Sequence, residues 1–127
     1  MSVAVGSFDV ALSPAAPELG GAVARFELRK TFRGDLDGVG EGIMLSVGEP
    51  AAGAAGYVAV ETVDGALHGR RGTFSLAQLG TMHGGAQTLS YVVVPGSGTG
   101  ELEGITGRMQ LDIEADGTHR FRLTYDL

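Results

Sequence analysis

Apolar and polar residues alternate along most of this chain, which is the pattern of β-strands that bury one face. The pattern is clearest over residues 56–82, where it predicts two strands around a glycine-rich reversal. Their expected interior side is formed by Tyr57, Ala59, Glu61 and Val63 in the first arm and by Phe74, Leu76, Gln78 and Met82 in the second. Pairing of the two arms therefore brings a carboxylate and an amide among apolar neighbours.

The rest of the chain repeats this alternation between turn signals. Further strands are predicted over residues 7–12, 22–32, 39–47, 88–94, 108–114 and 119–127. Turns or loops rich in Gly, Pro and Asp are predicted at 13–21, 34–38, 48–56, 64–65, 69–72, 83–87, 95–107 and 116–117. Residues that alternate on the apolar sides of these strands include Phe8, Val10, Leu12, Phe26, Leu28, Lys30, Phe32, Glu41, Ile43, Leu45, Tyr91, Met109, Leu111, His119, Phe121 and Tyr125.

About eight strands with closely spaced turns predict an all-β fold, and the length of 127 residues predicts a single domain over residues 1–127. We expect a closed antiparallel β-barrel, because closure removes exposed strand edges. A barrel of this strand number encloses either packed side chains or one small ligand.

Composition narrows the classes of partner. The net charge of −6 disfavours nucleic acid and anionic membranes, which need a basic surface. There is no cysteine, so thiol chemistry and thiolate metal sites are excluded. The absence of a secretory signal and of a long apolar run leads us to expect a cytoplasmic protein.

Three blocks of sequence resemble a known family: KTFRGDLDGVGEGIML, GYVAVETVDGALHGRRGTFSL and VVPGSGTGELEGITGRMQLDI, followed by a closing strand ending in LTYDL. Together they resemble the bacterial DUF3224 family of uncharacterised proteins. The resemblance covers about residues 29–127, and its VPGSGTGEL block is quite specific. It implies a calycin-like antiparallel barrel similar to that of the allene oxide cyclases. It supplies a fold and not a function, because the family has no settled activity.

Ionisable residues on the expected interior faces are the main hint of chemistry. Lys30 could keep either Glu41 or Glu61 ionised, which would leave the other carboxyl able to hold a proton near neutral pH. Together with Tyr57, these residues are the candidate catalytic groups. A purely structural role is equally open, in which Lys30 forms a salt bridge that fixes strand register or extends its amino group to water.

Candidate ligand-binding residues share the expected interior sides of the strands. They are Phe26, Leu28, Phe74, Leu76, Gln78, Tyr91, Met109, His119 and Tyr125. The three histidines have no metal-type spacing, and we expect neither a metal nor a cofactor.

Three functions remain open. The first is binding of a small apolar or amphipathic molecule. The second is a cofactor-independent isomerase or cyclase, in which the interior Glu, Lys or Tyr transfers a proton. The third is a packed barrel that serves as an interaction or assembly module. By analogy with similar barrels we expect a homo-oligomer.

Overall fold

The eight strands of the barrel follow one another around its wall. The computed structural model describes residues 1–15 and 21–127, and every statement below concerns these residues. The strands are β1 (Ser2–Ala15), β2 (Ala24–Gly34), β3 (Leu36–Glu49), β4 (Ala54–Leu67), β5 (Arg70–His83), β6 (Ala86–Val93), β7 (Thr106–Ile113) and β8 (His119–Asp126). Each strand pairs antiparallel with the next, and β1 pairs with β8 to close the barrel. The predicted fold is confirmed.

The weakest seam of the wall lies between β6 and β7. Within residues 86–113 the two strands share a single register pair, Val92 with Arg108. The connecting segment, residues 94–105, replaces β6 as the partner of β5. The amide of Val94 donates to the carbonyl of Ser75 at 2.9 Å. The amide of Thr99 donates to the carbonyl of Thr73 at 2.8 Å. This segment therefore completes the sheet where β6 has ended.

The same segment seals one end of the barrel, which we call the sealed end. It includes a short 3-10 helix, Gly100–Leu102, and it inserts the fully buried side chains of Leu102 and Ile105. Gly98 of the VPGSGTGEL block is needed for this close approach, because a Cβ there would lie 2.0 Å from the carbonyl oxygen of Leu102.

The core fills the barrel from the sealed end to its middle. Phe32 is fully buried at the centre of an aromatic group, with ring centroids 5.3 Å from Phe8 and 5.8 Å from Phe121. Other core residues are Ala4, Leu36, Val63, Leu67, Phe74, Leu76, Tyr91, Val93, Leu102, Ile105, Met109, Leu123 and Tyr125. The opposite end, which we call the open end, has no comparable core.

The predicted orientation of β3 is wrong. Ile43, Leu45 and Val47 point outward, and Gly40, which pairs with Lys30 and Val63, is buried instead. Glu41 consequently lies outside, where its side chain is 67% exposed and forms an ion pair with Arg29. Hydrophobicity favours Ile43 and Leu45 as interior residues, whereas the middle of the inward face consists of Gly38, Gly40 and Gly42. Gly40 leaves room for the side chains of Glu61 and Phe32.

Several strand limits also differ from the prediction. β1 is longer than expected at both ends, and Ser13–Ala15 pair with β2 although they include a proline. The expected reversal at Asp64-Gly65 does not occur, because β4 continues through it to Leu67. The remainder of the predicted loop 13–21 falls mostly on residues 16–20, outside the described part of the chain.

The turns that the prediction placed correctly have the expected backbone. Gly84 and Gly85 connect β5 and β6 with φ angles of 57° and 80°, and Gly117 turns β7 into β8 with a φ of 88°. Left-handed conformations of this kind favour glycine. Among the described residues, no helix is long and apolar enough to cross a lipid bilayer.

Candidate functional site

A cavity of about 810 Å³ occupies the open end of the barrel. This volume is in the range that holds a drug-sized ligand. Most of the wall is apolar, and the polar side chains are concentrated at a few points. The lining residues are Phe8, Val10, Leu12, Leu28, Lys30, Met44, Pro50, Ala55, Tyr57, Ala59, Gln78, Gly80, Thr81, Met82, Gln87, Thr88, Leu89, Leu111, Asp112, Ile113 and His119.

Three polar side chains meet where the cavity ends and the core begins, and we call them the floor triad: Lys30, Glu61 and Tyr91. Lys30 Nζ donates to Glu61 Oε1 at 2.8 Å and to the Tyr91 hydroxyl at 2.7 Å. The Tyr91 hydroxyl in turn donates to Glu61 Oε1. Lys30 is 4% exposed and Glu61 is 2% exposed, so this is a buried ion pair. Its two charges compensate each other.

Neighbouring strands create the space for the triad. Lys30 lies on β2, Glu61 on β4 and Tyr91 on β6, while Gly40 of β3 lies between the first two. A Cβ at Gly40 would lie 2.7 Å from Glu61 Oε2 and 3.2 Å from a ring carbon of Phe32. Glu61 Oε2 is buried and has no hydrogen-bond partner among the described residues. The glycine therefore admits the carboxylate but offers it no donor.

Burial changes the acid–base properties of the triad. Desolvation lowers the pKa of Lys30 from its usual value, and the attraction and hydrogen bond of Glu61 oppose that change. Desolvation also raises the pKa of Tyr91 well above its usual value, and the nearby Glu61 carboxylate adds to this effect. Tyr91 is consequently a neutral phenol at physiological pH. Its hydroxyl accepts a hydrogen bond from Lys30 while it donates one to Glu61.

A second polar pair lies higher on the cavity wall. Gln78 Nε2 donates to the Tyr57 hydroxyl at 2.6 Å, which leaves the phenol proton available to another acceptor. Burial raises the pKa of Tyr57, so the hydroxyl stays protonated near neutral pH. Gly80 faces the ring at such short range that a Cβ there would lie 2.2 Å from Tyr57 Cε1. Gly80 thus fixes where the ring can pack.

The comparisons with known proteins agree on the family. Residues 4–125 match the family model described as "Protein of unknown function (DUF3224)". The chain belongs to the DUF3224 family. A crystal structure of a DUF3224 protein of unknown function from Shewanella oneidensis MR-1 is 41% identical, with a TM-score of 0.92, and the match covers 100% of this chain and 97% of that one. No curated protein matches the chain.

Membership of DUF3224 confirms the resemblance drawn from the sequence and, with the structural match, the barrel fold. It assigns no activity, since both matches are described as having unknown function. The candidate site in this DUF3224 chain therefore has to be argued from its own residues.

The structure brings together part of the predicted site. Lys30, Tyr57, Leu28, Gln78 and His119 line the cavity. Glu61 and Tyr91 lie directly behind Lys30, within hydrogen-bond distance of it. Two of the predicted polar residues, Glu61 and Tyr91, are thus assembled around Lys30.

Other predicted site residues lie elsewhere. Glu41 is on the outer surface, so its expected contribution to the interior charge is wrong. Phe74, Leu76 and Met109 are packed in the core, and half-buried Phe26 does not border the cavity. Tyr125 lies at the sealed end, where its hydroxyl is 2.5 Å from His68 Nδ1.

Several lining residues were not among the predicted site residues. Phe8 is the most important of these, since its ring centroid lies 4.8 Å from Lys30 Nζ and its ring borders the cavity. The alternation of Phe8, Val10 and Leu12 was visible in the sequence, but the pairing of β1 with β2 was needed to place them beside Lys30. Within residues 1–15 and 21–127, no cluster of three or more His, Asp or Glu side chains could hold a metal ion.

Proposed function

We propose that this barrel binds a neutral, amphipathic small molecule in the cavity at its open end. The observation that carries the proposal is an apolar cavity of about 810 Å³ whose floor is a charge-compensated triad. The closed meander of eight strands also supports the proposal that the barrel is calycin-like and similar to the allene oxide cyclases, a type of architecture that holds small ligands.

The polar groups indicate which end of the ligand meets the floor. Lys30 uses two of its three donor positions on Glu61 and Tyr91, and the Tyr57 hydroxyl has a proton left to donate. A carbonyl or hydroxyl oxygen would accept these hydrogen bonds. The body of the ligand would then contact the apolar wall formed by residues such as Val10, Leu28 and Met44.

Charge favours a neutral ligand over an anion. The ammonium of Lys30 is already paired with Glu61, so an added carboxylate would place a second negative charge against a buried, compensated pair. The net charge of −6 also opposes the approach of anions.

The test is fluorescence titration with prodan, a neutral naphthalene ketone whose emission shifts to the blue in apolar surroundings. We expect saturable binding to the wild type and much weaker binding to Ala55→Phe, which places a ring in the cavity. Ala66→Phe is the matched control, because Ala66 lies on the outward side of the same strand. Absence of saturable binding to the wild type, or equal loss in both variants, would contradict the proposal.

A second proposal concerns self-association, and it rests on the outer face of β3, β4 and β5. Six apolar side chains point outward there: Ile43, Leu45, Val47, Val58, Val60 and Leu79. They are neighbours across the sheet, since Ile43 pairs with Val60, and Val58 pairs with Leu45 and Leu79. At about half exposure each they form an apolar surface on the order of 500 Å², which is in the size range of the largest, often functional, apolar patch of a protein.

A second copy of this chain is the occupant we propose for that surface. A stable interface buries roughly 800 Å² on each partner, so this patch can form its apolar centre with a polar rim around it. Sedimentation velocity is the test. We expect a dimer that Val58→Glu dissociates and that the control Val3→Glu, an outward valine on β1, leaves intact. A monomeric wild type would contradict the proposal.

A further inference from the structure

Lys30 is the only lysine of the chain, and it stands at the boundary between an apolar cavity and a packed core. We propose that Lys30 captures an aldehyde or ketone ligand covalently, as a reversible imine at the cavity floor. This inference rests on the proposed ligand-binding function and specifies its ligand class: a carbonyl compound with an apolar body.

The geometry leaves one position of the lysine nitrogen directed away from the triad. Two of the three positions around Nζ are taken by Glu61 Oε1 and the Tyr91 hydroxyl. No hydrogen bond among the described residues occupies the third, and the lysine lines the cavity next to Phe8. A ligand carbonyl carbon that reaches the floor beside Phe8 therefore meets the nitrogen on the side that makes no hydrogen bond.

The triad also supplies the proton transfers that imine formation needs. Lys30 passes one proton to Glu61, directly or through Tyr91, and the free amine attacks the carbonyl carbon. In the resulting carbinolamine, the former carbonyl oxygen takes up the proton held by Glu61 and a second proton from the nitrogen. The bond between carbon and this oxygen then breaks, and the oxygen leaves as water. The nitrogen keeps its third proton and a double bond to the former carbonyl carbon.

Charge balance makes this product compatible with the buried site. The protonated imine carries the same single positive charge as the ammonium, so its ion pair with Glu61 persists. No buried charge is created or lost, and no oxidant, reductant or metal is required. Desolvation lowers the pKa of Lys30, so the unprotonated amine is a larger fraction of Lys30 than of an exposed lysine.

Reductive trapping tests the inference. Folded protein is incubated near neutral pH with octanal and sodium cyanoborohydride, which reduces a protonated imine to a stable secondary amine, and peptide mapping then locates the octyl group. We expect Lys30 to be modified about tenfold faster than the N-terminal amine. In an unfolded chain the order should reverse, because the α-amino group has the lower usual pKa and is the better nucleophile at this pH.

Two controls separate covalent capture from binding. Octan-1-ol, which has the same chain length but cannot form an imine, should compete with prodan and leave no adduct. Lys30→Arg keeps the positive charge and donors towards Glu61 but should give no adduct at position 30. If that variant does not fold, peptide mapping of the octyl adduct on the wild type still shows whether Lys30 is the modified residue.

The two proposals fail in different ways. Octanal that displaces prodan but modifies the N-terminus alone would overturn the imine and leave the binding function intact. Lys30 modified no faster in the folded than in the unfolded protein would also overturn it. Failure of both prodan and octanal to bind would overturn the binding function and this inference with it.

Discussion

At the sealed end of the barrel, Leu102 and Ile105 enter from the segment between β6 and β7 and are fully buried. At the open end, no described segment inserts comparable side chains, and a cavity of about 810 Å³ remains. The four 14-residue strands, β1, β3, β4 and β5, contribute side chains to both ends, so the alternation that predicts them does not distinguish the two ends. What differs is the volume of the inward side chains and the route of one connecting segment.

The floor triad lies where these two regions meet, and this position explains its composition. A charge in the sealed core would be unpaired and costly, whereas one in the open cavity would be hydrated. At the boundary, Lys30 borders the cavity, while Glu61 behind it compensates its charge and the Tyr91 hydroxyl accepts a hydrogen bond from it. The difference between the ends therefore predicts that the same type of substitution changes stability by different amounts at the sealed end and at the open end.

The largest effect is expected from Glu61→Leu, which removes the partner of a buried ammonium. Breaking a buried ion pair in this way costs about 3–5 kcal/mol, so we expect a large loss of stability in urea unfolding. Glu41→Leu is the control, because it breaks the exposed pair with Arg29 and should cost about 0–1 kcal/mol. Equal losses in the two variants would contradict the buried role of Glu61.

Truncation of leucines compares the two ends directly. Leu102→Ala removes a fully buried side chain from the sealed end and should destabilise the protein by about 2–5 kcal/mol. Leu12→Ala acts on a cavity residue that is already 44% exposed, so we expect a change of about 0.5 kcal/mol or less. Thermal or urea unfolding measures both, and similar values would mean that the open end is packed as well.

Enlargement of alanines gives the opposite test with a smaller effect. Ala4→Leu adds volume to the filled core and should cost about 1–3 kcal/mol. Ala55→Leu adds the same volume to the cavity wall, where there is room, so stability should be nearly unchanged while prodan binding weakens. A comparable loss of stability at Ala55 would count against an open cavity.

The smallest effect concerns pH. Because the pKa of Tyr91 is raised by burial, the unfolded chain loses this proton first, and stability falls as the pH rises above about 10. The lowered pKa of Lys30 acts with the opposite sign, since the unfolded chain then binds more protons just below the usual lysine value.

Tyr91→Phe isolates the tyrosine contribution. The stability difference between wild type and variant should narrow between about pH 9 and about pH 11, as measured by urea unfolding. A difference that stays constant across this interval would show that Tyr91 has the same pKa in both states.

The strands and most turns could be predicted because alternation and Gly-rich turns are local signals. Asp116-Gly117, for example, forms the predicted hairpin, with the amide of Thr118 donating to Asp116 Oδ1 at 2.9 Å. The interior face of β3 could not be predicted in this way. The middle of its inward face is formed by Gly38, Gly40 and Gly42, and the space at Gly40 is taken by Glu61 and Phe32 from neighbouring strands.

The candidate site, like the fold, was predictable only in its local features. Lys30, Glu61 and Tyr57 share the interior sides of alternating strands, and this was visible in the sequence. Lys30 forms its ion pair with Glu61 and not with Glu41 because of the register of β2, β3 and β4. Alternation alone does not determine that register. The division into a cavity and a core depends further on where residues 94–105 run, a feature with no periodic signal.

The most direct test of the account is a titration with prodan followed by two-dimensional amide NMR. We predict saturable shifts at open-end residues such as Ala55, Ala59 and Gln78, with the sealed-end residues Leu67 and Leu102 unchanged. Shifts confined to Val58, Val60 and Leu79 on the outer face, or no saturable shifts at all, would contradict the claim that the open end is the binding site.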